Sequence, residues 1–141
     1  MNRIAALTIL LAFASTHSMV GLAQEISGIK TSYAKDRLIR ISNMNAYLKN
    51  DYTCQIKTYV GAIVALKYDE EETEPYAIII QLKNGRRIFI GLDENLYQGL
   101  SRADLSIVEV TLVKGKRVRV RAYGCGASGR GDLSASSIEF L

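Results

Sequence analysis

The chain has 141 residues, of which 48% are hydrophobic, 23% charged and 8% aromatic, and its formal net charge is +4. This composition excludes collagen-like, proline-rich and highly charged disordered proteins, and the length fits one domain, which typically takes about 100–200 residues. Histidine occurs once, at His17 near the start of the chain, and tryptophan is absent.

Residues 1–23 have the pattern of a secretory signal peptide. A short positive start around Arg3 precedes an apolar run over residues 4–14, and the small residues Gly21 and Ala23 stand where a signal peptidase would cleave. The alternative is a membrane anchor, which needs roughly 20 apolar residues, and polar residues interrupt this run earlier. We therefore expect a periplasmic or secreted protein, with no transmembrane segment after the signal.

Cys54 and Cys125 are the two cysteines of the chain. In an oxidising compartment, an even pair in a small domain usually forms a disulfide. The alternative is a redox or metal-binding pair, for which the sequence lacks both a CxxC spacing and a histidine after the signal. We therefore predict a disulfide between Cys54 and Cys125.

The first elements predicted after the signal are two short strands, at residues 26–33 and 37–42. In the second strand, alternation places Leu38 and Ile41 on opposite sides. The polar residues 43–52 are predicted to form a loop or a single helical turn.

Residues 54–68 alternate with the period of a strand, and Gly61 in the middle marks a bulge or a sharp bend. An acidic run, residues 69–74, ends this strand, and we considered it as a calcium site, although it lacks EF-hand spacing. The predicted apolar face carries Ile56, Val60, Ala62, Val64, Leu66 and Tyr68.

Residues 76–83 and 86–91 are predicted to form a hairpin. The Asn-Gly pair at 84–85 is a strong signal for a two-residue turn, because both turn residues need positive φ. A two-residue turn pairs Ile79 with Ile90, and it leaves both faces of the hairpin partly apolar.

A helix and two further strands complete the predicted chain. Asp93 is predicted to cap the helix, and Gly115 to stop it. A strand over 116–123 and a short last strand near 136–140 flank the glycine-rich loop 124–131. The apolar series of the helix is Leu96, Leu100, Ala103, Ile107 and Val110.

This order of elements predicts a mainly β fold with one helix: an OB-fold-like five-stranded barrel (β-β-β-α-β-β) preceded by an N-terminal β-hairpin. In that barrel the first and fourth strands are antiparallel neighbours, which would bring Cys54 and Cys125 together. An α+β sheet with a helix on one face is the alternative. We divide the chain into the signal peptide 1–23, an N-terminal extension or hairpin 24–53, and an OB-like domain 54–141.

Two short stretches resemble a known group of exported proteins. The run Lys-Gly-Lys-Arg-Val-Arg-Val at 114–120, with Gly-Cys-Gly at 124–126, and Tyr-Thr-Cys-Gln-Ile at 52–56 are similar to small OB-like proteins. These include the B subunits of pentameric bacterial toxins and uncharacterised periplasmic proteins. The resemblance implies glycan binding through polar loops and assembly through strand edges. The present chain differs in its additional N-terminal hairpin and its glycine- and arginine-rich last loop.

A row of basic residues is the candidate binding site. Three arginines at alternate positions lie on one strand face, which suits phosphates, sulfates or an acidic protein surface. The alternative is a solvated face partly paired with the acidic run 69–74. The candidate ligand-binding residues are Arg117, Arg119, Arg121, Tyr123 and Arg130, and we expect the site between this row and the loops 69–75 and 124–131.

The sequence predicts a non-enzymatic binding module, without cofactor or metal, that recognises an anionic ligand, a glycan or a protein. Nucleic acid is not expected as a partner, because of export and because only Tyr123 in this segment could stack on a base. The alternatives are an inhibitor of a secreted or periplasmic enzyme and a structural or oligomeric subunit, which would associate through Ile79, Ile88 and Ile90.

Overall fold

The computed structural model describes residues 28–126 and 132–141, so the predicted signal peptide lies outside the described residues. The described chain is mainly β, with one α-helix. Its elements are β1 (Lys30–Ala34), β2 (Arg37–Ser42), a 3-10 helix (Ala46–Asn50), β3 (Cys54–Tyr68), β4 (Pro75–Leu82), β5 (Arg87–Gly91), α1 (Arg102–Thr111), β6 (Arg117–Cys125) and β7 (Leu133–Phe140).

The seven described strands form one mixed sheet in the order β1-β2-β7-β5-β4-β3-β6, and β6 also pairs with β7. Strands β3, β4, β5, β7 and β6 therefore make a ring of five. Neighbours are antiparallel except β5 and β7, which pair in parallel where Gly91 faces Ser134. The helix α1 lies between β5 and β6 in the chain.

The disulfide prediction is confirmed. Strands β3 and β6 pair from Cys54 opposite Cys125 to Ala62 opposite Arg117, and the two cysteines are bonded, with their Cα atoms 3.9 Å apart. The bridge thus joins the first residue of β3 to the last residue of β6. Disulfides of this kind are typical of proteins in oxidising compartments.

The N-terminal hairpin forms as predicted, but its second strand faces the core differently. Leu38 and Ile41 are both buried, at 1% and 0% exposure, although alternation places them on opposite sides. Opposite β1, Ser32 pairs with Arg40 and Tyr33 with Leu38, so Ile39 is an extra, bulged residue. The bulge turns two apolar residues three positions apart towards the same core. The 3-10 helix at Ala46–Asn50 is the predicted single turn.

The predicted apolar face of β3 is wrong in its first half. Ile56 and Val60 are exposed, at 43% and 37%, whereas Ile63 is buried at 1%. A register shift between Ile63 and Ala65 changes the alternation, and only beyond it does the predicted face, with Leu66, pack against the core. Periodicity finds this strand, but apolar content alone does not say which side is covered.

Gly61 has a steric role in the sheet. A Cβ atom at this position would lie 2.3 Å from the carbonyl oxygen of Gln81 on β4, far inside van der Waals contact. The two backbones approach this closely only because Gly61 has no side chain. The predicted bulge is not at Gly61, which pairs in register with Leu82 and Val118; the nearest register shift of β3 lies between Ile63 and Ala65.

The β4–β5 hairpin forms, but its register differs by one residue from the prediction. The turn has three residues, 83–85, with Gly85 at φ +83°, and the Leu82 amide donates to the Arg86 carbonyl at 2.8 Å. Ile78 then faces Ile90 and Ile79 faces Phe89.

This register changes which hairpin side chains are exposed. Ile88 and Ile90 are buried, at 6% and 0% exposure, so they are not available for the predicted oligomer contact. Of the three isoleucines predicted for that contact, only Ile79 keeps partial exposure.

The helix starts later than predicted. Ser101, not Asp93, is its N-cap: the Ser101 hydroxyl accepts from the Asp104 amide at 3.1 Å and donates to the Asp104 carboxylate at 2.8 Å. Asp93 is instead buried and accepts from the backbone amides of Asn45 and Asn95. The helix ends at Thr111, before Gly115.

The sheet and helix enclose one cluster of buried apolar side chains among the described residues, and the N-terminal hairpin contributes to it. Leu96 of the predicted apolar series belongs to this cluster, although it lies in the turns before α1. Val110, predicted to be on the same apolar face, is instead 72% exposed. In the described part of the chain, no helix has the length and apolarity needed to cross a membrane. The largest fully buried side chains are Leu38, Ile41, Met44, Ile63, Ile78, Ile80, Ile90, Leu96, Val108, Val118, Val120 and Ile138.

Candidate functional site

Strand β6 has the predicted alternation. Val118 and Val120 have 0% exposure, and Arg119 and Arg121 between and after them point to solvent. The valines hold the strand against the core, so the guanidinium groups leave the sheet on its outer side. Arg117, at the start of β6, is exposed on the same side.

The arginine row continues sideways across three more strands. On β7, Glu139 faces Arg119, and on β2, Arg40 faces the same Glu139. A second row lies two residues away from the first on each strand. In this row, Ser137 of β7 faces Arg121. The edge strand β1 adds exposed Lys30, which faces Ser42 of β2. We call the surface formed by Lys30, Arg40, Arg117, Arg119, Arg121 and Glu139 the basic face.

One carboxylate is shared by two arginines at the centre of the basic face. Glu139 Oε2 accepts hydrogen bonds from Arg119 Nη1 at 3.0 Å and from Arg40 Nη2 at 3.3 Å. The hydrogen bond from Arg119, together with the charges of Arg119 and Arg40, holds the pKa of Glu139 below its ordinary value. Among the described residues, neither Arg117 nor Arg121 forms an ion pair with a carboxylate. The basic face therefore carries five cations and one carboxylate, of which only Arg40 and Arg119 bond the carboxylate, and it keeps a positive excess.

A small cavity of about 170 Å³ lies in the middle of the basic face. Ser136 and Ser137 both reach it because β7 is bulged: Ser137 pairs with Arg121 and Ala135 with Ala122, so Ser136 is the extra residue. Hydroxyl groups thus stand beside guanidinium groups. The cavity is lined by Arg40, Ser42, Arg119, Arg121, Ser136, Ser137 and Glu139.

Of the other two predicted site residues, the structure describes only Tyr123. Tyr123 is buried, at 6% exposure, and pairs with Ile56 on β3. Arg130 lies outside the described residues, as does the rest of loop 127–131.

The described residues next to the two loops predicted to flank the site lie at opposite ends of β3. The acidic run 69–74 follows the last residue of β3, whereas Gly126 donates to Thr53, just before its first residue. They therefore start from opposite ends of a fifteen-residue strand. The carboxylate beside the arginines comes instead from Glu139 of β7.

Sequence reasoning missed Arg40, Glu139 and the serines that line the cavity. The alternation of β6 indicated one row of cations, but nothing local in the sequence connects β2 to β7. The pairing of Arg40 with Glu139 spans 99 positions of the chain. In the described ranges, no three histidine, cysteine or acidic side chains are grouped to hold a metal ion, the acidic run included.

No protein-family model and no curated protein matches the sequence.

Proposed function

We propose that this protein is an exported, non-enzymatic binding module that recognises an anionic ligand, such as an acidic glycan, on the basic face. The observation that carries the proposal is a face with five cations and one carboxylate, which Arg40 and Arg119 share, on strands packed against the core. Strands packed against the core fix the backbone of these arginines, so binding has to order only their side chains.

Arginine suits this task because its planar guanidinium donates two parallel hydrogen bonds to a carboxylate, phosphate or sulfate. Arg121 and Arg117 have donors to offer, since no described carboxylate pairs with them. The hydroxyls of Ser42, Ser136 and Ser137 can bond the uncharged hydroxyls of a sugar. The burial of Tyr123 disfavours nucleic acid, because single-stranded binding usually needs exposed rings for base stacking.

We also propose that the five-stranded ring is an OB-fold-like barrel and that the protein is periplasmic or secreted. The closed order β3-β4-β5-β7-β6 and the helix between the third and fourth ring strands support the barrel. The disulfide supports an oxidising compartment. We propose as well that the chain is related to the toxin B subunits, a relationship that agrees with glycan binding.

The test compares two triple variants by calorimetric titration with a sulfated oligosaccharide and its unsulfated counterpart. Arg117→Gln/Arg119→Gln/Arg121→Gln removes three charges from the basic face. The control, Lys49→Gln/Lys67→Gln/Arg102→Gln, removes three exposed charges from other elements. We expect the first variant to lose affinity for the sulfated probe by at least about tenfold, which is about 1.4 kcal/mol, while the control stays within about twofold.

Three results would overturn the proposal. The wild-type chain could fail to bind the sulfated probe, or it could bind the unsulfated probe equally well. An equal loss in both triple variants would mean that net charge, rather than the arrangement of the basic face, governs binding.

A further inference from the structure

A second cavity lies at the far end of β3 from the disulfide. It has a volume of about 340 Å³ and is bordered by the end of β3, the start of β4, the turns before α1 and the last turns of α1. This volume is near the lower end of the range for small-molecule sites, about 300–1,000 Å³. The cavity shares no lining residue with the one on the basic face.

The walls of this cavity are apolar and aromatic. Leu112 is buried at 3% exposure, and Leu66 and Tyr97 pack against the hydrophobic core. Tyr68, the last residue of β3, also lines the cavity and is about half exposed. Because the core supports three of these side chains, the cavity exists before any ligand binds.

Two carboxylates also line the cavity, Glu74 at the end of the acidic run and Glu109 on α1. Among the described residues neither forms an ion pair, so their negative charge is uncompensated. Burial, followed by the charges of Glu74 and Glu109, raises the pKa of the Tyr97 hydroxyl. The negative charges of both carboxylates therefore act on the Tyr97 side chain.

We propose that this cavity binds an organic cation whose charge is surrounded by apolar groups, such as an alkylated ammonium. Tyr68 and Tyr97 both line the cavity, aromatic rings attract a cation electrostatically, and the leucines accommodate methyl groups. Glu74 and Glu109 supply the opposite charge, and they exclude anions.

The test follows the tyrosine ring signals of the full chain by NMR during titration with choline. The comparison probe is 3,3-dimethylbutanol, which has nearly the same shape but no charge. We expect choline to shift the Tyr68 and Tyr97 signals saturably, and the neutral probe to bind at least about tenfold more weakly.

Two sets of variants locate the binding. Glu74→Gln/Glu109→Gln is expected to weaken choline binding by at least about tenfold. The control Asp36→Asn/Glu70→Gln removes two exposed charges outside the cavity and is expected to change choline binding by less than about twofold. Tyr68→Leu is expected to weaken binding without unfolding, because this ring is half exposed.

The proposal is wrong if choline shifts neither tyrosine or if the neutral probe binds equally. It is also wrong if the control double variant weakens binding as much as Glu74→Gln/Glu109→Gln, or if Tyr68→Leu binds like the wild type. None of these results depends on the basic face, so the two proposals can fail separately.

Discussion

Removal of the disulfide should cost this protein much of its stability. The bridge joins residues 71 positions apart, and the chain-entropy relation for a closed loop of this length predicts a loss of about 4 kcal/mol in the free energy of unfolding. Domains of this size have about 5–15 kcal/mol in total. The variant Cys54→Ala/Cys125→Ala should still fold, because β3 and β6 remain paired as far as Ala62 and Arg117.

The measurement is equilibrium unfolding in urea, followed by far-ultraviolet circular dichroism. We expect the midpoint of the variant to fall, and reductant to destabilise the wild type to a similar extent while leaving the variant unchanged. A loss below about 1 kcal/mol would refute the reasoning, since the cross-link would then not restrict the unfolded chain as calculated.

Three further changes test the packing and the charges. Gly61→Ala should lower the free energy of unfolding, measured in urea, by about 1–3 kcal/mol, because the added Cβ would lie 2.3 Å from a backbone oxygen of the neighbouring strand. The control is Gly91→Ala, whose Cβ would lie 3.4 Å from its nearest atom. Equal losses in the two variants would contradict the steric argument. Ile90→Ala should cost about 2–5 kcal/mol, because the side chain is fully buried, and a loss below about 1 kcal/mol would place it outside the core. Hydrogen bonds from Tyr33 and Ser101 lower the pKa of Asp104. The ionised carboxylate therefore stabilises the fold above the ordinary aspartate pKa, and this stability is lost as the pH falls through the lowered pKa of Asp104. Urea midpoints across this acid range should therefore fall less steeply for Asp104→Asn than for the wild type, and parallel curves would contradict the assignment.

Local signals in the sequence were sufficient for most strands. The alternation of β6 predicted its buried valines and exposed arginines, because a strand puts successive side chains on opposite sides. The Asn-Gly pair located the β4–β5 hairpin. It did not specify the register, since a three-residue turn with Gly85 at positive φ also satisfies those residues and shifts every pair by one.

The burial of apolar residues was harder to predict than their alternation. In the first half of β3, Ile56 and Val60 are more apolar than their neighbours, yet they point outward, because β3 changes alternation near Ile63. A bulge at Ile39 has the same effect in β2. A single inserted residue moves the side chains that follow it to the other face of the strand. The position of that inserted residue depends on the pairing with the partner strand.

The sequence by itself was enough to predict the strands, the disulfide and one row of arginines, because periodicity, turn residues and cysteine count are properties of the chain alone. Tertiary structure decided what stands beside that row. It brings Arg40 and Glu139 to β6 from strands far apart in the chain, and it puts the acidic run at the opposite end of β3. Strand pairing at such separation is selected by the whole core at once, so no local pattern encodes it.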